Sequence, residues 1–224
     1  MISVIIPALN EERALPATLA KLFGQPGNFE AILVDGCSHD ATLSIAADWP
    51  LLKVISASPG RATQMNAGAA KASGDVLLFL HADTLLPENA LLRLNSLEAD
   101  VALWGGFHQQ FSSQTRVLQM VSRLHNWRCK QTGVFYGDQA MFVSRGMFEQ
   151  LGGFPAEPIL EDIRLSEVLL QQAQPVFLSE HVVTDARKFE QMGPLRSFFR
   201  CIIILVCLEL RLPVIGQRFF SAIR

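Results

Sequence analysis

Short apolar runs alternate with longer mixed stretches through the first hundred residues. Four runs rich in β-branched or aromatic side chains have the length of strands: 3–6, 31–34, 53–55 and 76–80. Their nearly continuous apolarity is typical of parallel strands that are covered on both faces. The stretches between them predict helices over 11–23, 40–47 and 61–72, the first capped by Asn10 and ended by Gly24. This order predicts an α/β fold with a doubly wound, mostly parallel sheet flanked by helices.

The alternation of predicted strands and helices is less regular after residue 100. Residues 100–110 predict a longer strand that Gly105 and Gly106 break, and shorter strands are predicted over 140–143 and 176–178. A helix over 113–129 is expected to bury one apolar side, formed by Val117, Met120, Val121 and Leu124. A second helix over 161–172 offers four apolar residues to the core: Ile163, Val168, Leu169 and Leu170.

Composition narrows the class of protein. Of the 224 residues, 50% are hydrophobic and 18% charged, which excludes wholesale disorder. Neither a repeat nor a linker is apparent, so we expect one domain over 1–190 and a C-terminal extension over 191–224. A formal net charge of −2 gives no general argument for nucleic-acid binding. The charges are unevenly distributed along the chain. Residues 187–224 hold seven bases and two acids, a net charge of +5, and the rest of the chain carries −7.

The basic extension is also rich in Phe, Ile and Leu. Its apolar run over 201–208 is far shorter than the roughly 20 residues of a membrane-spanning helix. An amphipathic helix there is expected either to lie on an anionic membrane or to pack against its own domain or a twin subunit, and composition does not separate these alternatives. The four cysteines form no CxxC pair, so we expect reduced thiols and a cytoplasmic chain, at the inner membrane face if the extension binds lipid.

Polar residues follow three of the predicted strands, in the runs 7–11, 35–40 and 81–84. Ligands of doubly wound sheets bind outside the carboxyl ends of the strands. The three runs therefore predict a site for a nucleotide or another charged ligand. Neither GxGxxG after the first strand nor a GxxxxGKS/T loop is present, which argues against dinucleotide and P-loop sites.

An ordered series of motifs accompanies these strand ends. It comprises VIIPALNE at 4–11, VDGCSHDAT at 34–42, GRATQMNAG at 60–68, the stretch 74–83, LGGF at 151–154 and the acidic pair at 161–162. Over about residues 2–190 the chain resembles the family 2 glycosyltransferases, an inverting group with the GT-A fold. Segments 80–84 and 137–142 resemble a small bacterial subgroup linked to arsenosugar-type acceptors. The QxxRW box of processive synthases is absent, which favours transfer of a single sugar.

The resemblance implies a hexosyltransferase-type enzyme that uses a nucleotide-diphosphate sugar of UDP or GDP type. Its acceptor would be a hydroxyl of a small-molecule or lipid-linked compound, without nucleic acid, and its cofactor Mg²⁺ or Mn²⁺. Asp83 would be the metal ligand, because a hard cation stabilises a diphosphate leaving group, although Asp83 also fits a turn cap. His81 stands where the family has the first Asp of DxD, and it would contact a phosphate or ribose or hydrogen-bond at the strand end.

The resemblance also assigns the nucleotide pocket. Its base and ribose would be lined by residues after the first strand: Pro7, Ala8 and Glu11. Asp35 would accept a hydrogen bond from a ring N–H of the base. Arg61 would approach the base or the phosphates, unless it is a solvated surface residue, and Asp40 fits either the nucleotide pocket or a helix cap.

An inverting enzyme also needs a general base opposite the leaving group. The family takes it from an acidic pair after a Gly-Gly-Phe turn, which implies Asp162 as the base and Glu161 as its orienting neighbour, although both also fit the acidic first turn of a helix. Asp138 would hold hydroxyls of the donor sugar or the acceptor. Arg187 and Lys188 would neutralise the diphosphate, or form an ordinary exposed basic turn.

Two other classes of function compete with sugar transfer. A sugar-nucleotide nucleotidyltransferase shares the sheet and the metal, but it requires a Gly-rich loop with Arg or Lys after the first strand, and residues 8–11 do not match one. A non-catalytic nucleotide-sugar-binding protein would retain the fold. The presence of Asp35, Asp83 and Asp162 argues against that alternative.

Overall fold

The structure, a computed structural model, describes residues 1–97, 103–157 and 160–193 and the helical positions 196, 199, 202 and 203. The strands in these ranges are β1 (Ile2–Ala8), β2 (Phe29–Asp35), β3 (Leu52–Ser56), β4 (Val76–Phe79), β5 (Thr84–Leu85), β6 (Trp104–Phe111), β7 (Phe142–Ser144) and β8 (Val176–Thr184). The helices are α1 (Leu15–Phe23), α2 (Thr42–Ala47), α3 (Arg61–Ala69), α4 (Ala90–Asn95), α5 (Arg116–Thr132), α6 (Arg145–Gln150), α7 (Glu161–Leu170) and α8 (Arg187–Met192), with a 3-10 turn at Gly137–Gln139.

The strands form one mixed sheet in the order β3-β2-β1-β4-β7-β6-β8-β5. The first four strands are parallel neighbours, as are β6 and β8, whereas β7 and β5 run antiparallel to their partners. Val4 and Ile6 of β1 pack in the layer that contains α1 and α4, and Ile5 packs in the opposite layer with α3. Both faces of the strand are thus buried, which explains its continuous apolarity and confirms the predicted sheet.

The first helix begins later than the sequence suggested, and its predicted cap is wrong. α1 starts at Leu15, and Ala14 at its N-cap makes no side-chain capping bond. Asn10 lies in the left-handed region with φ 55°, and its Oδ1 accepts a hydrogen bond from the His39 N–H at 2.8 Å. Its amide therefore joins the loops after β1 and β2 instead of capping a helix.

Gly105 and Gly106 do not break the strand in which they lie, contrary to the prediction. A Cβ added at Gly105 would stand 2.0 Å from the Val176 carbonyl oxygen, and one at Gly106 would stand 2.5 Å from the Phe135 ring. The two glycines therefore let β6 approach β8 and the core closely. Residues 100–102 of the predicted strand lie outside the described residues.

The predicted inner sides of two helices need correction. α5 buries Leu118, Ser122 and Cys129, whereas Met120 and Leu124 are exposed. α7 buries Ile163, Leu165, Ser166 and Leu169, whereas Val168 is exposed. In both helices serine or cysteine occupies inward positions close to the sheet, so the apolar pattern alone misjudged the buried face.

The predicted extension over 191–224 lies almost wholly outside the described residues, so its structure, its contacts and the boundary at residue 190 remain predictions. In the part of the chain that is described, every helix is too short or too polar to cross a membrane.

Candidate active site

A crevice opens at the carboxyl ends of β1 and β4 and at the start of α3; we call it the strand-end crevice. Its lining comprises Pro7, Ala8, Leu9, Glu11, Pro59, Gly60, Arg61, Gln64, His81, Ala82 and Asp83. Six residues assigned from the sequence meet there: Pro7, Ala8, Glu11, Arg61, His81 and Asp83. The crevice lies where the topology of a doubly wound sheet places a ligand site.

The loops after β1 and β2 are joined by hydrogen bonds that fix one wall of this crevice. The Glu11 N–H donates to Thr42 Oγ1 at 2.8 Å, and the Glu12 N–H donates to Asp40 Oδ2 at 3.1 Å. Asp40 Oδ1 also accepts from the Thr42 N–H at 3.0 Å, at the start of α2. The Thr42 hydroxyl also donates to Asp40 Oδ1, and the hydrogen bonds to this carboxylate hold the pKa of Asp40 below its usual range although desolvation opposes the shift. The N-cap of α2 is Ala41, so Asp40 binds the helix from the position before the cap.

Asp35 ends β2 and is 2% exposed, and it does not line the strand-end crevice. Its carboxylate accepts from the Cys37 N–H at 3.0 Å and from the Ser38 N–H at 3.2 Å. Cys37 has a φ of 69°, so the chain turns sharply around the carboxylate. Asp35 thus shapes the loop beside the crevice.

Gln64 is a crevice residue that the sequence did not single out. It is buried, and its Nε2 donates to the carbonyls of Ala8 at 2.9 Å and Val34 at 2.8 Å. A Cβ added at Gly36 would stand 2.9 Å from the same Nε2. Gln64 follows Arg61 by one helical turn, and this spacing is the one signal that could have indicated it.

Two carboxylates line the strand-end crevice, Glu11 and Asp83, and Asp83 is the one assigned to a cation from the sequence. The backbone oxygen of Asp83 accepts from the Asp185 N–H at 2.9 Å, which ties the segment to the end of β8. Among the described residues, no group of three or more His, Cys, Asp or Glu side chains could hold a metal ion. A single carboxylate such as Asp83 would fit Mg²⁺ or Mn²⁺ if phosphates of a substrate bound beside it, because such ions commonly take few protein ligands together with substrate phosphates.

Asp162 lies in the first turn of α7, adjacent to His81 of the strand-end crevice. A Cβ added at Gly137 would stand 2.6 Å from His81 Nε2 and 3.3 Å from Asp162 Oδ2, so both side chains flank this glycine. Asp162 accepts hydrogen bonds from the N–H groups of Gly137 at 2.5 Å and Ile163 at 2.8 Å. Burial raises the pKa of Asp162, although these bonds and the charge of Arg61 oppose the shift.

The Gly-Gly-Phe turn that precedes the acidic pair along the chain is held by α3. Asn66 Nδ2 donates to the Phe154 carbonyl at 2.9 Å, and Asn66 Oδ1 accepts from the Phe154 N–H at 2.9 Å. Gly153 adopts a φ of 78°, and a Cβ there would stand 2.6 Å from Asn66 Oδ1. Glu161, beside Asp162, is 3% exposed. Asn66 is thus a support of this turn that the sequence did not reveal.

A buried polar cluster surrounds Asp138 next to this pair. His125 Nε2 lies 3.1 Å from Gln139 Oε1 and 3.8 Å from Asp138 Oδ1. Burial lowers the pKa of His125 despite the nearby Asp138. Asp138 Oδ1 has no hydrogen-bond partner and is buried, so a hydroxyl donor would satisfy it. Arg128 stacks over the Tyr136 ring, 3.9 Å from its centroid, and covers the outside of the cluster.

Arg187 begins α8 and forms an ion pair with Asp185. The Asp185 N–H donates to the Asp83 carbonyl oxygen, so this ion pair adjoins the segment that contains the candidate metal ligand. Lys188 follows Arg187 in α8, and its side chain is outside the described structure.

Comparison with known proteins identifies relatives of the chain. Residues 3–151 match the model of glycosyl transferase family 2. A PGL/p-HBAD biosynthesis glycosyltransferase of Mycobacterium bovis is 35% identical over 171 residues, which cover 69% of this chain and 63% of the relative. An uncharacterized glycosyltransferase of Mycobacterium tuberculosis is 32% identical over 93 residues, covering 42% of this chain and 41% of the relative. The chain thus spans less than two thirds of the length of these curated relatives.

Solved structures resemble the fold over nearly the whole chain. A mannosyltransferase from Pyrobaculum calidifontis, in complex with GDP-Man and Mn²⁺, has a TM-score of 0.70 and 21% identity, covering 99% of this chain and 68% of that one. S. aureus TarS 1–349, in complex with UDP-GlcNAc, has a TM-score of 0.67 and 20% identity, covering 99% of this chain and 70% of that one. At this level of identity the likeness shows the fold alone.

Proposed function

The chain belongs to glycosyltransferase family 2, and on this basis we propose that it transfers one sugar from a nucleoside-diphosphate sugar to a hydroxyl acceptor with inversion. The observation that carries the proposal is the adjacency of two parts. His81 lines the strand-end crevice and flanks Gly137 together with Asp162. A donor in the crevice would therefore lie next to a carboxylate suited to general-base chemistry.

The nucleotide occupies the wall formed by the loops after β1 and β2. Pro7, Ala8 and Glu11 line the base and ribose, and Asp35, at the end of β2 beside this wall, accepts a hydrogen bond from a ring N–H of the base. Arg61 lies at the start of α3, where its positive charge faces both the crevice and Asp162. It is therefore suited to hold the phosphates at the reacting end of the donor.

The diphosphate end of the donor lies at Asp83 and His81. Asp83 would hold Mg²⁺ or Mn²⁺ together with the phosphates, and such a cation would supply charge stabilisation for the diphosphate. His81, in place of a second carboxylate, adds a ring nitrogen where another anion would repel the phosphates. Arg187 or Lys188, which follow the Asp83–Asp185 contact in α8, neutralises the diphosphate.

Asp162 acts as the base in this proposal. Its oxygen accepts the proton of the acceptor hydroxyl while the hydroxyl oxygen bonds to the anomeric carbon and the bond to the diphosphate breaks. The two backbone N–H groups fix the carboxylate, and burial raises its pKa, which strengthens it as a base. Glu161 orients the start of α7, and Asp138, with its unpartnered oxygen, holds a hydroxyl of the acceptor or the donor sugar.

A thermal-shift panel tests the donor site. UDP, GDP, CDP and dTDP are each added with and without Mn²⁺, and the melting temperature is measured. We expect one diphosphate to raise it, and Mn²⁺ to increase the rise, because the cation and the phosphates bind together. If none of the four diphosphates stabilises the protein, the proposed function is wrong.

A further inference from the structure

The outward side of α5 carries an apolar stripe with no described neighbour to cover it. Met120, Leu124 and Trp127 follow one another at helical spacing and are 51%, 42% and 60% exposed. The opposite side of the helix packs through Leu118, Ser122 and Cys129. Large apolar side chains in a row on one helix face are not the scattered exposure that a soluble surface normally shows.

The same side of α5 is cationic. Arg116, Arg123 and Lys130 are exposed, and at 100° per residue they lie together along one edge of the apolar stripe. The helix contains no acidic residue. We define these six residues as the outer face of α5: Arg116, Met120, Arg123, Leu124, Trp127 and Lys130. Arginines and lysines flanking an apolar strip that includes a Trp are typical of a helix lying in a lipid–water interface.

The inner side of α5 belongs to the wall of the candidate active site. His125 contacts Gln139, and Arg128 stacks on Tyr136, at the turn whose Gly137 N–H is bonded to Asp162. The helix is thus one layer of side chains away from the proposed base. Any surface that binds the outer face of α5 lies beside the acceptor end of the site.

We propose that the outer face of α5 docks on an anionic lipid surface. This inference concerns a surface separate from the strand-end crevice and stands without the proposed transferase activity. Its six residues present apolar side chains for the acyl boundary and three positive charges for the headgroups. The predicted membrane contact of residues 191–224 is a different segment, and docking through α5 does not require it.

Area and charge argue against the other two occupants of this face. Three apolar side chains fall well short of the roughly 800 Å² per partner of a stable interface, which argues against a second copy. Residues 194–224 of the same chain carry five bases and one acid, so they would meet the face with like charge. An anionic surface is the partner of complementary charge.

Vesicle co-sedimentation tests the proposal with the full chain. Phosphatidylcholine vesicles with and without phosphatidylglycerol are compared for the wild type, for M120S/L124S/W127S and for R116Q/R123Q/K130Q. We expect the wild type to bind only the anionic vesicles, less at high salt, and each triple variant to lower the partition coefficient about tenfold or more. The matched control L43S/L51S/L92S removes three other exposed leucines and should bind as the wild type does.

Two further readouts separate the outcomes. Anionic vesicles should shift the Trp fluorescence of the wild type to the blue, and W127F should lose most of that shift. Wild-type binding that both triple variants retain would assign lipid binding to another segment and overturn the proposal, as would no binding at all. A wild-type dimer that M120S/L124S/W127S dissociates, measured by light scattering, would overturn it in favour of a second copy. Diphosphate-induced thermal shifts should be equal in all variants, so a loss of lipid binding is not confused with a failure of the donor site.

Discussion

At the scale of single residues, Asp162 combines burial with two backbone hydrogen bonds. We expect Asp162→Asn to lower turnover about 10²–10⁴-fold, because the amide cannot accept the acceptor proton. Diphosphate binding should stay close to wild type, since Asp162 is not part of the strand-end crevice lining. Turnover is measured as release of nucleoside diphosphate, and turnover equal to wild type would exclude Asp162 as the base.

Asp162→Asn should also change how the free energy of unfolding depends on pH. Because burial raises the pKa of Asp162, the folded state binds its proton more tightly than the unfolded state does, and the native carboxylate costs stability as pH rises through that pKa. The free energy of unfolding of Asp162→Asn should therefore improve relative to wild type between about pH 4 and pH 7. Asp48→Asn, at an exposed helix end, is the control that should show no such trend.

The contribution of His125 to the free energy of unfolding should depend on pH in the opposite direction. Burial lowers its pKa, with Arg128 adding to the shift and Asp138, Gln139 and Asp162 opposing it. The neutral ring is thus favoured in the fold, and the stability it contributes above its unfolded pKa of about 6.5 is lost as pH falls. Chemical denaturation at pH 7 and pH 5 should show a loss in the wild type that exceeds that of His125→Gln, by at most about 2 kcal/mol. Equal losses would show that His125 does not titrate in this way.

The sequence indicated most residues of the candidate site but not the residues that hold them in place. Acids after strands and before a helix have a recognisable position, so Asp83 and Asp162 could be named in advance. Gln64 and Asn66 act by bonding to backbone atoms of residues far along the chain, such as Val34 and Phe154, and no periodicity records such contacts. Asn10 was assigned to the nearest helix because its true partner, His39, is distant in sequence.

At the scale of elements, β6 and β8 approach each other through a glycine that the sequence suggested was a break. Gly105→Ala would place its Cβ 2.0 Å from the Val176 carbonyl oxygen, which is backbone and cannot turn aside. We expect a loss of about 2–3 kcal/mol in the free energy of unfolding, from overpacking.

The matched control is Gly146→Ala in α6, where an added Cβ meets nothing within 4 Å. It should be neutral or stabilise the protein by up to about 1 kcal/mol, because alanine favours a helix. Urea denaturation measures both variants. A Gly105→Ala protein as stable as Gly146→Ala would show that the two strands are not packed as described.

The strands β1, β2 and β4 of the parallel half were predictable because their apolar runs are buried on both faces, whereas β3 at the sheet edge is largely exposed. The second half was less so, since its strands are short or antiparallel: β5 has two residues, and β7 spans three. The prediction from the sequence also took the apolar side chains of a helix to point inward. On α5 that rule failed because Met120 and Leu124 lie on the outer face.

At the scale of the whole molecule, the formal charge of −2 combines two unlike regions. Acids concentrate at the strand ends and at the start of α7, where the proposed donor, cation and base meet. Bases concentrate after residue 186 and on the outer face of α5. A composition total averages these regions, so it indicated neither the site nor the proposed lipid-binding surface.

The measurement that bears most directly on the proposed function is calorimetric titration of the stabilising diphosphate in the presence of Mn²⁺. Wild type, Asp83→Asn and the control Asp48→Asn are compared. Because the proposed cation would bind Asp83 and the phosphates together, we predict a loss of affinity of about tenfold or more in Asp83→Asn and unchanged affinity in Asp48→Asn. Equal affinity in all three proteins would contradict the proposed donor site.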